Sequence, residues 1–333
     1  MKEKELAELT ETALIPAWSM VELTHRCNLV CSHCYVVKDK KKELSTKEVK
    51  KVLDQLAAAG NLFLAFTGGE IFLRKDIYEI LGYAAKKKFV LTILTNATLL
   101  DTAAVKKLGR LGVHELSTSV YSLKPAVHDK ITGSKGSLLK VLKTLKEVKK
   151  AGISVRIKCA LLAENYSEKK ALTAFAKKNG YKVLFDPVIA PKNDGSTGNT
   201  GNKMGFGALK KIIRQHSGDW FYSKKYLERN VICSAGKNFV AISPYGDVLP
   251  CLQIPVAAGN IRKKSLKNIW ENSPVLKKIR EMKLKDLKEC ANCKNICYCN
   301  RCPGLALLEG GTLYTKSASA CEIASIRAGC SHG

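Results

Sequence analysis

Cys27-Asn28-Leu29-Val30-Cys31-Ser32-His33-Cys34-Tyr35 places three thiols in nine residues, spaced C-x3-C-x2-C. The apolar run before it, Trp18 to Leu23, reads as a buried strand. The thiols therefore sit on the turn that leaves a strand. Thiolates this close converge on one metal centre, and soft sulfur ligands select zinc, copper(I) or iron–sulfur clusters. A structural zinc site closes with four ligands. Three thiols suit a cuboidal cluster that keeps one iron open to an outside ligand.

Outward from this turn, apolar runs alternate with amphipathic stretches. Ser45 with Glu48 is a capping box that opens a helix ending near Gly60. Strands are expected at Leu62–Thr67, Val90–Thr95, Leu116–Tyr121, Ile153–Cys159 and Tyr181–Phe185. Helices are expected at Asp76–Lys88, Asp101–Leu111, Ser137–Ala151 and Ser167–Asn179. Six βα units in succession predict a parallel sheet of the α/β class with right-handed crossovers. Six repeats rather than eight predict an open, partial TIM-like (βα)6 barrel, whose active site lies at the C-terminal ends of the strands. Gly68-Gly69-Glu70, Thr95-Asn96, Ser119 to Tyr121 and Lys158-Cys159 all fall at such ends. The gap left by the missing strands would admit a bulky substrate.

The chain changes character after residue 186. Pro187 to Gly207 is rich in Gly, Asn and Pro and reads as a loop. Trp220, Phe221, Tyr222 and Tyr226 form an aromatic cluster read first as packing. Eight of the 13 cysteines then lie between Cys233 and Cys321. Phe239–Ile242 and Val248–Leu249 around Gly246 read as a hairpin, and Leu266–Met282 as a helical stretch. The expected division is an N-terminal extension (1–17), the partial barrel (18–186), a linker with bridging helices (187–230) and a small cysteine-rich domain (231–333). So small a domain gains much of its stability from bound metal.

At Cys27, Cys31 and Cys34 the sequence resembles the radical S-adenosylmethionine (SAM) superfamily, with His33 at the motif's aromatic position. The resemblance implies a 4Fe–4S cluster whose open iron chelates SAM. Reductive cleavage of SAM then gives a 5′-deoxyadenosyl radical that abstracts a substrate hydrogen. It also implies that Gly68-Gly69-Glu70 is the motif that binds the methionyl amino group, and that Asn96 and Ser119 line the cofactor pocket beside His33 and Tyr35. The basic residue that often grips the SAM carboxylate is replaced by Thr132, leaving Lys130, Lys135 or Lys158 to take over. The C-terminal cysteines resemble the SPASM extension, a domain of auxiliary clusters. By position in that pattern, Cys233, Cys251 and Cys302 hold one cluster, and Cys290, Cys293, Cys299 and Cys321 hold the other. Two departures stand out. The spacing between Cys299 and Cys302 is x2 where x3 is usual, with Cys297 offering another register. No cysteine lies shortly upstream of Cys233, so the first auxiliary cluster has three thiolates. C-x2-C pairs are also zinc-ribbon spacing, which keeps two structural zinc sites as the alternative. Cys159 and Cys330 read as spare thiols, His114 and His216 as ordinary polar positions.

The 333 residues allow one large domain or two ordinary ones. The sequence has neither an 18-residue apolar run nor an apolar signal segment, so a cytoplasmic protein without a membrane role is expected. Thirteen cysteines in that setting argue for metal ligation over disulfides. The net charge of +27 attracts polyanions. An acidic electron donor such as flavodoxin or ferredoxin fits, although lysines spread along helix faces also read as plain solvated surface. Aromatics make up 7% of the chain and do not interleave with the lysines, which disfavours nucleic acid and an RNA-modifying role. SPASM-type members act mostly on peptide or protein substrates, so the resemblance implies a peptide maturase-like enzyme. Sulfatase maturation is disfavoured because Leu252, not Asp, follows Cys251. With no spare domain to read a leader peptide, a separate recognition protein is expected. The alternative is a haem-pathway or other small-molecule radical enzyme.

Overall fold

The computed structural model describes residues 3–37, 41–215, 221–222, 227 and 233–329. His216, Trp220, Tyr226, Cys330, the expected boundary at 230–231 and most of the loop expected at Lys38–Lys42 lie outside them.

Helix α1 (Glu3–Thr12) precedes β1 (Trp18–Glu22). The repeat then runs α2 (Thr46–Ala58), β2 (Phe63–Thr67), α3 (Ile77–Lys86), β3 (Val90–Thr95), α4 (Thr102–Arg110) and β4 (Glu115–Ser119). It continues with α5 (Pro125–Thr132), α6 (Ser137–Lys150), β5 (Ser154–Ala160), α7 (Lys169–Asn179) and β6 (Lys182–Asp186). Helix α8 (Phe206–Arg214) bridges to β7 (Phe239–Ile242), β8 (Asp247–Leu249) and β9 (Gly259–Asn260). The chain closes with α9 (Leu266–Asn272), α10 (Pro274–Glu281), α11 (Lys288–Ala291), α12 (Pro303–Gly310) and α13 (Ala318–Ala328).

Among the described residues the strands form one sheet in the order β6-β5-β4-β3-β2-β1-β7-β8-β9. The strands from β6 through β7 run parallel, and β8 and β9 antiparallel. The sheet is thus a continuous open one, and the cysteine-rich region enters it through β7, which pairs with β1. One face packs on the helices through Val21, Leu64, Ile93, Leu116, Ile157 and the apolar sides of α2, α4 and α6. The other face lines the interior of the curved sheet, where Ser119, Lys158 and Leu184 are register partners. Its last strand stands at the edge, and Leu184 there is 51% exposed.

The capping box of α2 forms: Glu48 N donates to Ser45 Oγ and Ser45 N to Glu48 Oε2. The helical stretch expected at Leu266–Met282 is broken into α9 and α10 at Ser273-Pro274. Proline lacks the N–H and disfavours helix at the residue before it. Helix α5 falls where only a polar motif was read, started by Pro125 at its first turn. A second, smaller core of Ala235, Ile254, Ile279, Met282 and Leu287 lies under the C-terminal cysteines.

Candidate active site and cluster centres

The Cys27–Cys34 loop leaves β1 and is clamped from two sides. From β2, Gly69 N donates to Thr24 O (2.7 Å) and Glu70 N to Arg26 O (2.8 Å). A Cβ on Gly68 would stand 2.2 Å from Thr24 O, and one on Gly69 2.3 Å from Arg26 O. Gly68 also has φ +141. The sequence suggested that the glycines open the backbone to a ligand. The structure shows their closest neighbour to be the backbone that delivers Cys27. From α5, Val30 N donates to Thr132 O and Ser32 N to Ile131 O.

Glu70 is fully buried. Its carboxylate accepts from Thr95 Oγ1 at 2.8 Å, Asn96 N at 2.8 Å and Phe72 N at 3.0 Å. Burial raises its pKa, and those donors oppose the rise. Glu70 therefore buckles the ends of β2 and β3 together. Asn96 in turn donates through Nδ2 to Asn28 Oδ1 (2.9 Å) and reaches Cys27 Sγ at 3.8 Å, while Leu29 N donates to Cys27 Sγ at 3.4 Å. These are the contacts a thiolate sulfur would use.

The three thiols act on one another. Burial pushes Cys31 up to about 12, and the nearby Cys34 and Cys27 add to it. Burial also raises Cys27, with Glu70 and Cys34 contributing. His33 packs edge-on against Tyr121 at 4.8 Å. Its Nδ1 is buried without a partner among the described residues, and burial lowers it to about 4. The Tyr121 hydroxyl lies between Ser119 and Cys31. Tyr35 is raised by burial and by Glu22, Cys34 and Cys251, which places it between the N-terminal thiols and the cysteine-rich region.

Of the three candidate cations, Lys130 pairs with Glu164 at 2.6 Å on the outer surface, and Lys135 is exposed. Lys158 lies on the interior face, beside Ser119 in register. Burial lowers its pKa, Arg156 adds to this, and Glu115 and Asp186 oppose it.

The C-terminal thiols fall into two neighbourhoods. Cys251 is pushed up to about 11 by burial, then by Cys233 and Cys302. Cys299 is pushed up to about 12 by burial, then by Cys321, Cys290 and Cys293. Gly304 brings α12 against the Cys251 turn, since a Cβ there would lie 2.0 Å from Gln253 O. Cys297 packs against the second core, as Cys251 and Cys290 also do, and Cys159 is buried on the helix side. All twelve described cysteines are free thiols. No three described His, Cys, Asp or Glu side chains converge closely enough for a single metal ion; a four-iron cluster spreads its ligands over separate metal corners.

Sequence reasoning missed two features. Glu22, His25 and Tyr245 form a buried chain, with His25 Nε2 3.2 Å from Glu22 and Nδ1 3.4 Å from the Tyr245 hydroxyl. Arg301 is buried beside the second thiol group. Its position between Cys299 and Cys302 was the available signal.

The fold, the thiol loop and the two C-terminal thiol groups define a class. The chain belongs to the radical SAM superfamily, whose model matches residues 21–175, and carries an iron–sulfur cluster-binding SPASM domain, matched at residues 233–303. Its cofactors are 4Fe–4S clusters and SAM. The chain is 28% identical to the AdoMet-dependent heme synthase of Methanosarcina barkeri, over 91% of this chain and 95% of that protein. It is 31% identical to the antilisterial bacteriocin subtilosin biosynthesis protein AlbA of Bacillus subtilis, over 80% of this chain and 61% of the relative. Streptococcus suis SuiB bound to precursor peptide SuiA shares the fold, with a TM-score of 0.73 at 20% identity, over 96% of this chain and 79% of that one. No helix among the described residues is long and apolar enough to cross a membrane.

Proposed function

We propose that this protein is a radical SAM enzyme that abstracts hydrogen from a peptide or protein substrate. The carrying observation is the open sheet: the thiol loop stands at the strand ends, and beyond Lys158 the interior face ends at a half-exposed Leu184. That leaves a broad entrance on one side of the site. The relatedness to AlbA supports the same reading.

In this reading Cys27, Cys31 and Cys34 hold the SAM-binding cluster. Once bound, cluster and SAM supply a carbon radical that removes a substrate hydrogen atom. The chain does the rest. Asn96 and Leu29 donate toward the Cys27 sulfur and fix the loop. Glu70 sets the Asn96 backbone, with the methionyl amino group taking its place beside Gly68 and Gly69. His33 and Tyr35 flank the cofactor, Ser119 lines its pocket, and Lys158 offers a cation for its carboxylate. Cys233, Cys251 and Cys302 hold the nearer auxiliary cluster; Cys290, Cys293, Cys299 and Cys321 hold the farther one. An acidic flavodoxin or ferredoxin supplies the electron in a reducing cytoplasm. A separate protein presents the substrate's leader segment.

A second reading takes a carboxylate-bearing tetrapyrrole as substrate. It rests on the near full-length likeness to a heme synthase and on Lys158, a cation on the interior face. The test is 5′-deoxyadenosine formation by anaerobically reconstituted protein. Cysteine-containing peptides encoded beside the gene should stimulate it above the substrate-free rate. Stimulation by iron-coproporphyrin and not by peptides would replace the first reading with the second.

A further inference from the structure

Arg301 has no part in the reading above. It is 9% exposed. Its Nη2 donates to the carbonyls of Leu313 and Thr315, the latter at 2.7 Å. Its Nε and Nη1 are buried and have no acceptor among the described residues. Leaving the N–H groups of a buried cation unsatisfied is costly, so the site around them is built for an acceptor. They stand beside the farther thiol group: Arg301 lies between Cys299 and Cys302 in the chain, and its guanidinium neighbours Cys290 and Cys299.

The Cys290 sulfur already neighbours this guanidinium, and the thiolate and sulfide sulfurs of a bound cluster would supply acceptors for the remaining N–H groups. A cluster on four thiolates is anionic, and reduction adds one further negative charge. A fixed cation with two N–H donors stabilises the reduced form more than the oxidised one, which raises the reduction potential. Arg327, 8% exposed, adds a second buried charge that acts on Cys299. The Cys233 group is served differently. Its basic neighbour Lys237 is already paired with Glu11 at 2.9 Å.

We propose that Arg301 is a positioning residue of the farther auxiliary cluster, donating through Nε and Nη1 to its sulfur atoms and raising its reduction potential. This rests on Cys290, Cys293, Cys299 and Cys321 holding a 4Fe–4S cluster.

The test uses the full chain, reconstituted without oxygen, as wild type, Arg301→Met and Arg301→Lys. Iron and sulfide are counted, and reduced clusters are followed by EPR at poised potentials. With iron unchanged, Arg301→Met should lower one midpoint enough to shift the oxidised-to-reduced ratio at fixed potential at least tenfold, equivalent to about 59 mV for one electron. Arg301→Lys, which keeps the charge, should move it less. Full iron with every midpoint at its wild-type value overturns the proposal. If Arg301→Met loses iron, pulsed EPR on wild-type protein labelled with 15N-arginine decides. A nitrogen coupling that Arg301→Lys lacks supports the proposal, and no coupling overturns it. Cys290→Ser with Cys321→Ser separates the underlying reading: if that variant loses no iron, the cluster assignment fails, whatever Arg301 does.

Discussion

Replacing Gly69 with alanine should cost the protein its N-terminal cluster before it touches cofactor affinity. The new Cβ would stand 2.3 Å from Arg26 O and 2.7 Å from Arg26 C, both backbone atoms. Real contacts keep at least 3.0 Å, so the two loops must part by about 0.7 Å. Overpacking of this kind costs about 1–3 kcal/mol. The bonds from Gly69 N and Glu70 N, at 2.7 and 2.8 Å, stretch at about 1 kcal/mol each. The sum is roughly 3–5 kcal/mol, concentrated on the segment that carries Cys27. Displacements near 1 Å at a reacting site cost about 10²-fold, so 5′-deoxyadenosine formation should fall at least tenfold. The assay is iron content and EPR of the reconstituted variant without SAM, followed by SAM binding and cleavage. Gly112→Ala is the control: its φ is +70, yet nothing lies within 4 Å of the added Cβ. It should lose about 1 kcal/mol of stability and keep its iron. If Gly69→Ala binds full iron and only its SAM affinity falls, the glycine serves the ligand and the clash argument is wrong.

Other expectations follow from the same geometry. Protein purified without oxygen should hold about 8–12 iron atoms with matching sulfide, and stoichiometric zinc with little iron would refute the cluster reading. Cys27, Cys31 and Cys34 replaced together by alanine should abolish 5′-deoxyadenosine while the C-terminal thiols still bind iron. In cluster-free protein, Cys31 and Cys299 stay protonated up to about pH 12, whereas unfolded thiols ionise near 8.5–9. Stability should therefore be level below about pH 8 and fall from there toward pH 12, by roughly 1.4–2 kcal/mol per thiol at pH 10; melting curves across that range check the sign. Association with an acidic flavodoxin should slow steeply as salt rises past the point where the Debye length is about 10 Å, 0.1 M. A flat rate in stopped flow would leave the +27 charge without a docking role.

The parallel sheet was legible because each βα unit carries its own signal: apolar runs, Ser45 and Asp101 as helix starts, Gly60 as a stop. The motif cysteines were legible because spacing along the chain is all they need. What escaped was non-local. Nothing near Phe239 announces that it pairs with Trp18, and nothing near Glu70 names Thr95 as its partner. Helix α5 escaped because its eight residues bury only His128, Ile131 and Thr132, too few for a periodicity to show. Lys130 and Lys158 looked equivalent as isolated lysines. Only strand register puts one on the interior face and leaves the other on the surface.

The place of β1 in the sheet has a consequence for how the protein is made. On one side its partner β2 is supplied within about fifty residues. On the other it waits for Phe239–Ile242, which leaves the ribosome only after the whole of Leu23 to Asn238. At about 5–20 residues per second that delay is tens of seconds. Throughout it, β1 presents an unpaired edge, the kind of surface that recruits strands from other chains. Synthesis at lower temperature should lengthen this window yet weaken hydrophobic capture, whereas a chain cut before β7 never closes it. Such a fragment should collect in inclusion bodies even though every residue of its thiol loop is intact.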